Sequence, residues 1–362
     1  MLTTSPSGQR LAFLDVARGL AALLVVLSHG LQVCLSPGYA MWVNANLDIG
    51  RVGVLVFLLI SGFIIPASLE HGGSNARFWL RRLFRLFPAY WLSIALGYGY
   101  LACGGAARLD FLSLEDGPAW LVNLTMLQGF LDYPHVWGVF WTLSIELVLY
   151  AACSLLFACG LLHRVGGVVF LAILVGCVAY GIGRPLLIGE PFVQDVLLSL
   201  YLAPLFGLLA QRYVSGRLSR KRFYALFALL FGMLVAVWVV NRNLFPLRTG
   251  HMGLKPTLLA YACFFLLLEM RGRAMPAAGC WLGRVSFSVY LFHPLVMLWL
   301  APLGPTGWAY LPCLIALSLL LSAATYRLVE EPGILLGRLV ERRLLPPPRQ
   351  STEGYSVPAK AA

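Results

Sequence analysis

The chain has 362 residues, of which 60% are apolar and 12% charged, with a net charge of +12 at pH 7. Soluble domains run at roughly half apolar and about a quarter charged, so this composition excludes a soluble globular enzyme and predicts an integral membrane protein. The cations cluster at the ends of apolar stretches, which fits topology signals beside anionic lipid and argues against a nucleic-acid partner.

Stretches long enough to cross a bilayer, about 17–25 residues each, fall near 11–34, 50–69, 84–103, 136–160, 165–183, 195–211, 223–241, 254–270, 283–303 and 308–329. The predicted fold is therefore all-α, a polytopic bundle of about ten transmembrane helices. An even count places both termini on one side, and the positive-inside bias makes that side cytoplasmic. Inner segments then hold most of the arginines, including Arg77, Arg81, Arg82, Arg85, Arg212, Arg217 and Arg220, whereas outer segments hold only Arg51, Arg108, Arg184, Arg242, Arg248 and Lys255. Residues 1–10 read as a cytoplasmic N-terminus and 11–332 as one membrane domain. Residues 333–362 read as a basic cytoplasmic tail with the composition of disorder. The first apolar run carries Asp15 and Arg18 and precedes no clear small-residue cleavage site, so it is expected to stay as a span. The eight cysteines lie mostly within spans without paired ligand spacing, so no metal site is expected.

The first span, "LAFLDVARGLAALLVVLSHG", carries the strongest signal. Arg18 and His29 are eleven residues apart, three helical turns plus about 20°, so they share a face at a separation of about 16.5 Å. Asp15 precedes Arg18 by three residues and can neutralise it. Each ionisable group at bilayer depth costs roughly 2.5–3.5 kcal/mol or more, which makes the stripe a site hypothesis. A histidine can take a proton from a hydroxyl and return it near neutral pH.

The long connection near 104–135 contains Asp110, Glu115, Asp116, Trp120, Asp132, Tyr133 and His135, a composition compatible with holding sugar hydroxyls or with a plain surface loop. In "SNARFWLRRLFRLFPAYW", Arg77, Arg81 and Arg85 follow a four-residue step with Arg82 beside them, and Pro88 is expected to end or bend that helix. Such a stripe can grip phosphates bidentately or serve as positive-inside anchoring. Further on, Thr142, Glu146 and Tyr150 form a polar stripe near the midplane of the span starting around residue 136. A carboxylate at that depth needs a partner or a proton, and both a structural ion pair and a substrate-orienting role are open. In the ninth span Tyr290 and His293 sit at membrane depth before Pro294, where a lone histidine reads first as a satisfied packing residue rather than a catalyst. Ser61 begins the small-residue run "SGF". In "YRLVEEP", Arg327, Glu330 and Glu331 read as a surface pair.

In this order the segments resemble the acyltransferase 3 family of bacterial membrane O-acyltransferases. The resemblance is carried by Arg18 and His29 within "LDVARGLAALLVVLSH", by "GVLVFLLISGFII" around Ser61, and by Arg82 and Arg85 in "RRLFRLFPAYW". It continues with Trp141, Ser144 and Glu146 as Trp-x-x-Ser-x-Glu, with "SFSVYLFHPL" and with "YRLVEEP". Phe57-Leu58 stands where the family often has two aromatics, and Leu147 where many members carry a second acid. The resemblance implies acyl transfer from acetyl-CoA or another acyl-CoA, a donor substrate rather than a resident cofactor. The phosphates would lie on Arg81, Arg82 and Arg85 and the pantetheine arm would thread toward His29. Catalytic roles would fall to His29, Arg18 and Glu146. Asp15, Ser61, Trp141, Ser144, Tyr150, Tyr290 and His293 would support them or touch substrate. The acceptor would be a glycan such as O-antigen, exopolysaccharide, capsule or a lipid-linked sugar, and the setting the bacterial inner membrane. A secondary transporter or exporter moving a glycan without chemistry is the competing reading, since it too uses buried charge in a helix bundle.

Overall fold

The computed structural model describes residues 11–346 apart from 36–37, 39–41, 44–46, 104–118, 190–194, 245–253 and 302–306. Among the described residues there is no β-strand. The α-helices are α1 (Ala12–Cys34), α2 (Ile49–Gly72), α3 (Asn75–Ala102), α4 (Ala119–Asn123), α5 (Trp141–Ala158) and α6 (Gly167–Ile188). They continue with α7 (Asp195–Val214), α8 (Arg220–Leu244), α9 (Leu254–Glu269), α10 (Ala277–Leu300), α11 (Tyr310–Thr325) and α12 (Glu331–Leu344). A π-helical turn, Tyr326–Glu330, joins the last two.

Each of the ten apolar stretches falls on a helix. Six described segments are long and apolar enough to cross a membrane: Ala12–Cys34, Ile49–Gly72, Gly138–Ala158, Arg220–Leu244, Ala277–Leu300 and Tyr310–Leu344. α9 is short for a span at 16 residues, and α3 gathers Arg77, Arg81, Arg82 and Arg85 in its first half.

The centre of the bundle is built from α1, α2 and α10. α1 packs on α2, α10 and α11, and α2 also packs on α5, α7 and α9. The apolar window of α10 is 83% buried and that of α8 only 22%, so α10 is a central post and α8 presents most of its surface outward. Close approach depends on small residues. A Cβ on Gly62 would collide with the Pro204 carbonyl, and one on Gly283 with the Asp15 carbonyl. Without a hydrophobic drive between helices in lipid, such backbone contact is a principal source of packing energy. The "SGF" run is thus the α2–α7 contact that its composition predicts. α2 begins on Asp48, whose side chain accepts from the Arg51 N–H at 3.1 Å, and stops at Gly73 in the left-handed region (φ 63°).

Of the two outcomes expected at Pro88, a helix end or a bend, the end does not occur: α3 spans 28 residues with Pro88 inside it. Proline leaves the carbonyl four residues earlier without its N–H partner, and Gly333 of α12 packs over that Phe84 carbonyl, where a Cβ would stand 2.6 Å away. One expectation is corrected by α12, which occupies the start of the tail expected to be disordered. Gly333, Gly337 and Glu341 repeat every four residues and face α3, and Glu341 bridges to Arg77 and Arg81. Leu335, Leu336 and Leu339 stay exposed on the other side. Residues 1–10 and 347–362 lie outside the described residues, as do Asp110, Glu115 and Asp116 of the long connection.

Candidate active site

A cleft with an empty volume of about 1040 Å³, open space at its mouth included, runs inside the bundle. Along α2 its wall extends from Ser68 to Val54, roughly 21 Å of helix at 1.5 Å per residue. Arg81, Arg82 and Arg85 of α3 line it near Tyr150, and Thr142 and Tyr290 line it near Phe57. Arg18 and Glu146 lie between. The chain therefore builds a slot that is cationic at one end, apolar along its walls and lined at the other end by hydroxyls and a ring.

At the cationic end the arginines divide their work. The Arg81 fork grips both oxygens of Glu341, Nε at 2.5 Å and Nη2 at 2.6 Å. Arg77 forms an ion pair with the same carboxylate at 2.8 Å and donates to the Gly72 carbonyl at 2.7 Å. These two hold α12 in place. Arg82 instead lies over aromatic faces, 5.2 Å from the centre of Phe78 and 4.9 Å from that of Tyr150, and its Nη1 reaches the Tyr150 hydroxyl at 3.4 Å. Arg85 pairs with Glu330 at 3.9 Å, and Ser288 donates to Glu330 at 3.1 Å.

In the middle, Glu146 accepts from the Tyr150 hydroxyl at 2.6 Å and from Ser61 Oγ at 3.2 Å. Arg18 lies within electrostatic reach of Glu146, Glu330, Asp15 and Arg85. Asp15 is buried at the α1–α10 contact. Cations and carboxylates thus alternate through the interior, as a dry site requires if charge is to remain there.

At the far end, Tyr290 donates to the Val139 carbonyl at 2.7 Å and shares a 2.6 Å hydrogen bond with Thr142. Its ring meets Phe57 edge-on at 5.8 Å. Behind this wall sit two histidines. His29 Nδ1 is 2.8 Å from His293 Nε2, with the rings edge to edge and nearly coplanar, their planes 13° apart and their centres 5.0 Å apart. His293 is fully buried and His29 half-buried. His29 does not itself line the cleft: Tyr290 does, and its ring centre is 6.1 Å from that of His293.

The structure accordingly brings Arg18, Ser61, Arg81, Arg82, Arg85, Glu146, Tyr150 and Tyr290 to one cleft, and joins His29 to His293 beside it. Three expected residues lie elsewhere: Asp15 at the α1–α10 contact, Trp141 and Ser144. Trp141 is 39% exposed on the surface of α5, and Ser144 donates to the Met126 carbonyl, tying down the segment before α5. In that segment Gln128 contacts both Tyr90 and His135. Burial pushes the His135 imidazole below its ordinary range. Glu330 is the residue that sequence reading missed. It is 1% exposed, not part of a surface pair, and is the last residue of the π-helical turn Tyr326–Glu330. Such turns recur at functional sites, and the signal available was a Glu-Glu-Pro run directly after an apolar span.

The acyltransferase 3 family model, described as an acyltransferase domain, matches residues 11–327. The chain is similar to nodulation protein 10 of Rhizobium leguminosarum bv. viciae, at 27% identity over 93% of this chain and 97% of that protein. It is similar to the exopolysaccharide production protein ExoZ of Rhizobium meliloti, at 27% identity over 81% and 92%. It also resembles an O-acetyl transferase of Shigella phage Sf6, at 28% identity over 54% and 58%. No solved structure matches the chain.

Proposed function

This chain belongs to the acyltransferase 3 family and is a membrane O-acyltransferase, and from that premise we propose that it moves an acetyl group from cytoplasmic acetyl-CoA to a hydroxyl of a cell-envelope glycan. The observation that carries the reading is the cleft itself: cations at one end, apolar walls, and the His29–His293 pair just past the other. A donor made of phosphates on a long, weakly polar arm fits that gradient. Its phosphates lie on Arg82 and Arg85, with Arg81 joining only if Glu341 yields it, because guanidinium groups match phosphate geometry. The arm passes Arg18 and Glu146, and the thioester reaches His29 once Tyr290 and Thr142 part.

His29 then acts as general base. It takes the acceptor hydroxyl's proton as oxygen bonds to the thioester carbon. The C–S bond breaks and the departing sulfur receives that proton. Glu146, fixed by Ser61 and Tyr150, keeps Arg18 oriented across the cleft. An exopolysaccharide-related relative supports a glycan acceptor, whether O-antigen, exopolysaccharide, capsule or lipid-linked sugar. Ten spans with both termini cytoplasmic, in a bacterial inner membrane, would let donor and acceptor approach from opposite faces. Membership of an acyltransferase family favours this over transport without chemistry.

The test is transfer of label from acetyl-CoA to glycan acceptors by the purified, detergent-solubilised protein. His29→Ala is expected to abolish transfer while insertion and melting stay near wild type. Transfer at the wild-type rate by that variant would remove His29 from the mechanism.

A further inference from the structure

The motif Phe292-His293-Pro294 has a structural consequence at the histidine pair. Proline carries no N–H, so Pro294 leaves the carbonyl four residues earlier, that of Tyr290, without its helical donor. His293 Nδ1 stands 2.9 Å from this Tyr290 oxygen and 3.2 Å from the Val289 oxygen. Both partners are carbonyls and can only accept, so Nδ1 of His293 carries the proton. In a neutral imidazole the other nitrogen is then an acceptor. That nitrogen, Nε2, faces His29 Nδ1 at 2.8 Å, so His29 must donate from Nδ1. The basic lone pair of His29 is consequently on Nε2.

We propose that His293 is a positioning residue that holds His29 in the Nδ1–H tautomer, and that Pro294 makes this possible by releasing the Tyr290 carbonyl. The inference rests on the reading of His29 as the base and adds which nitrogen acts. The arrangement parallels the orienting third member of a hydrolase triad, with a neutral, fully buried imidazole in the place of a carboxylate. A neutral partner suits this depth, where a further unpaired carboxylate would carry a heavy desolvation cost. The in-plane bond to His293, with the two rings nearly coplanar, keeps the His29 ring from turning. When His29 takes the acceptor's proton on Nε2, the charge that develops on Nδ1–H meets the His293 lone pair without any rearrangement.

The test uses the full chain in detergent or nanodiscs, with donor KM, kcat and ¹⁵N-histidine NMR as readouts. His293→Ala is expected to lower kcat by about 100-fold, as loss of a base-orienting group does, with donor KM changed by less than about threefold. His293→Gln, whose Oε1 can accept from Nδ1–H, should recover at least about tenfold of that loss. Pro294→Ala, which returns an N–H to the Tyr290 carbonyl, should weaken the tautomer preference in the NMR spectrum. The wild-type spectrum should show His29 protonated on Nδ1 and bare on Nε2, a readout that stands even if His293→Ala fails to fold. A wild-type His29 protonated on Nε2 overturns the proposal, as does a His293→Gln variant no better than His293→Ala. If His29→Ala is dead but His293→Ala keeps its kcat, only the positioning role fails. If His29→Ala stays active, the base reading itself falls.

Discussion

Replacing Glu330 by Gln should push stability and donor affinity in opposite directions. Glu330 is 1% exposed, 3.9 Å from Arg85 and bonded by Ser288 at 3.1 Å. At an effective dielectric near 20, two unit charges at that distance attract by about 4 kcal/mol. Breaking a buried pair by neutralising one partner commonly costs about 3–5 kcal/mol. Glutamine keeps the volume and a polar contact with Ser288, so the loss is mainly of charge, and a destabilisation of about 3 kcal/mol is expected. The same change leaves Arg85 and Arg18, already coupled to each other and to Glu330, with excess positive potential in the cleft. An anionic donor should then bind more tightly, by about three- to tenfold at low salt and less at high salt. Melting followed by gel filtration, and acetyl-CoA binding measured well below the melting temperature, would read the two effects separately. An unchanged melting temperature, or a donor that binds less tightly to the folded variant, would refute the assignment of Glu330 as the counter-charge of the cleft. An Arg85→Ala, Glu330→Gln double variant should cost less than the sum of its parts.

Three other outcomes follow from particular contacts. Arg82→Lys keeps the charge but loses the planar contact with Phe78 and Tyr150, and should raise donor KM by about tenfold with kcat less affected. Gly62→Val places a side chain against the Pro204 backbone and should lower stability by more than about 3 kcal/mol, seen as aggregation or a much reduced melting temperature; Ser61→Ala beside it should cost only about 1 kcal/mol. Burial holds the imidazole of His135, in the segment before α5, below its ordinary value of about 6.5. The unfolded chain therefore binds the extra proton more readily there, and stability should fall as pH drops through about 6.5 toward the folded-state value. A His135→Gln variant should show a flatter melting profile across that range, and identical profiles would discount the group.

The first helix was readable residue by residue, because a charge at bilayer depth is costly enough to stand out against any apolar background. Asp15, Arg18, His29 and Glu146 stand out this way, and all are buried or half-buried in the interior; His293, which reads as a packing residue, gains its meaning only from the contact with His29. Trp141 and Ser144 share the spacing of the Glu146 motif, yet one faces outward and the other anchors a neighbouring segment. The difference between Arg81 and Arg82 was equally invisible, since adjacent positions on a helix point about 100° apart and the partner that captures Arg81 is 260 residues away.

Composition alone determined that this is a helical membrane protein, and the order of its short motifs determined the acyltransferase 3 family, because both depend on residue type and local spacing. Tertiary structure alone decided which arginines of the stripe bind α12 and which lie over aromatic rings. It also turned Glu330 inward and placed two histidines 264 residues apart at 2.8 Å. Those outcomes depend on which faces meet after close helix packing, and no one-dimensional period encodes the rotation of one helix against another.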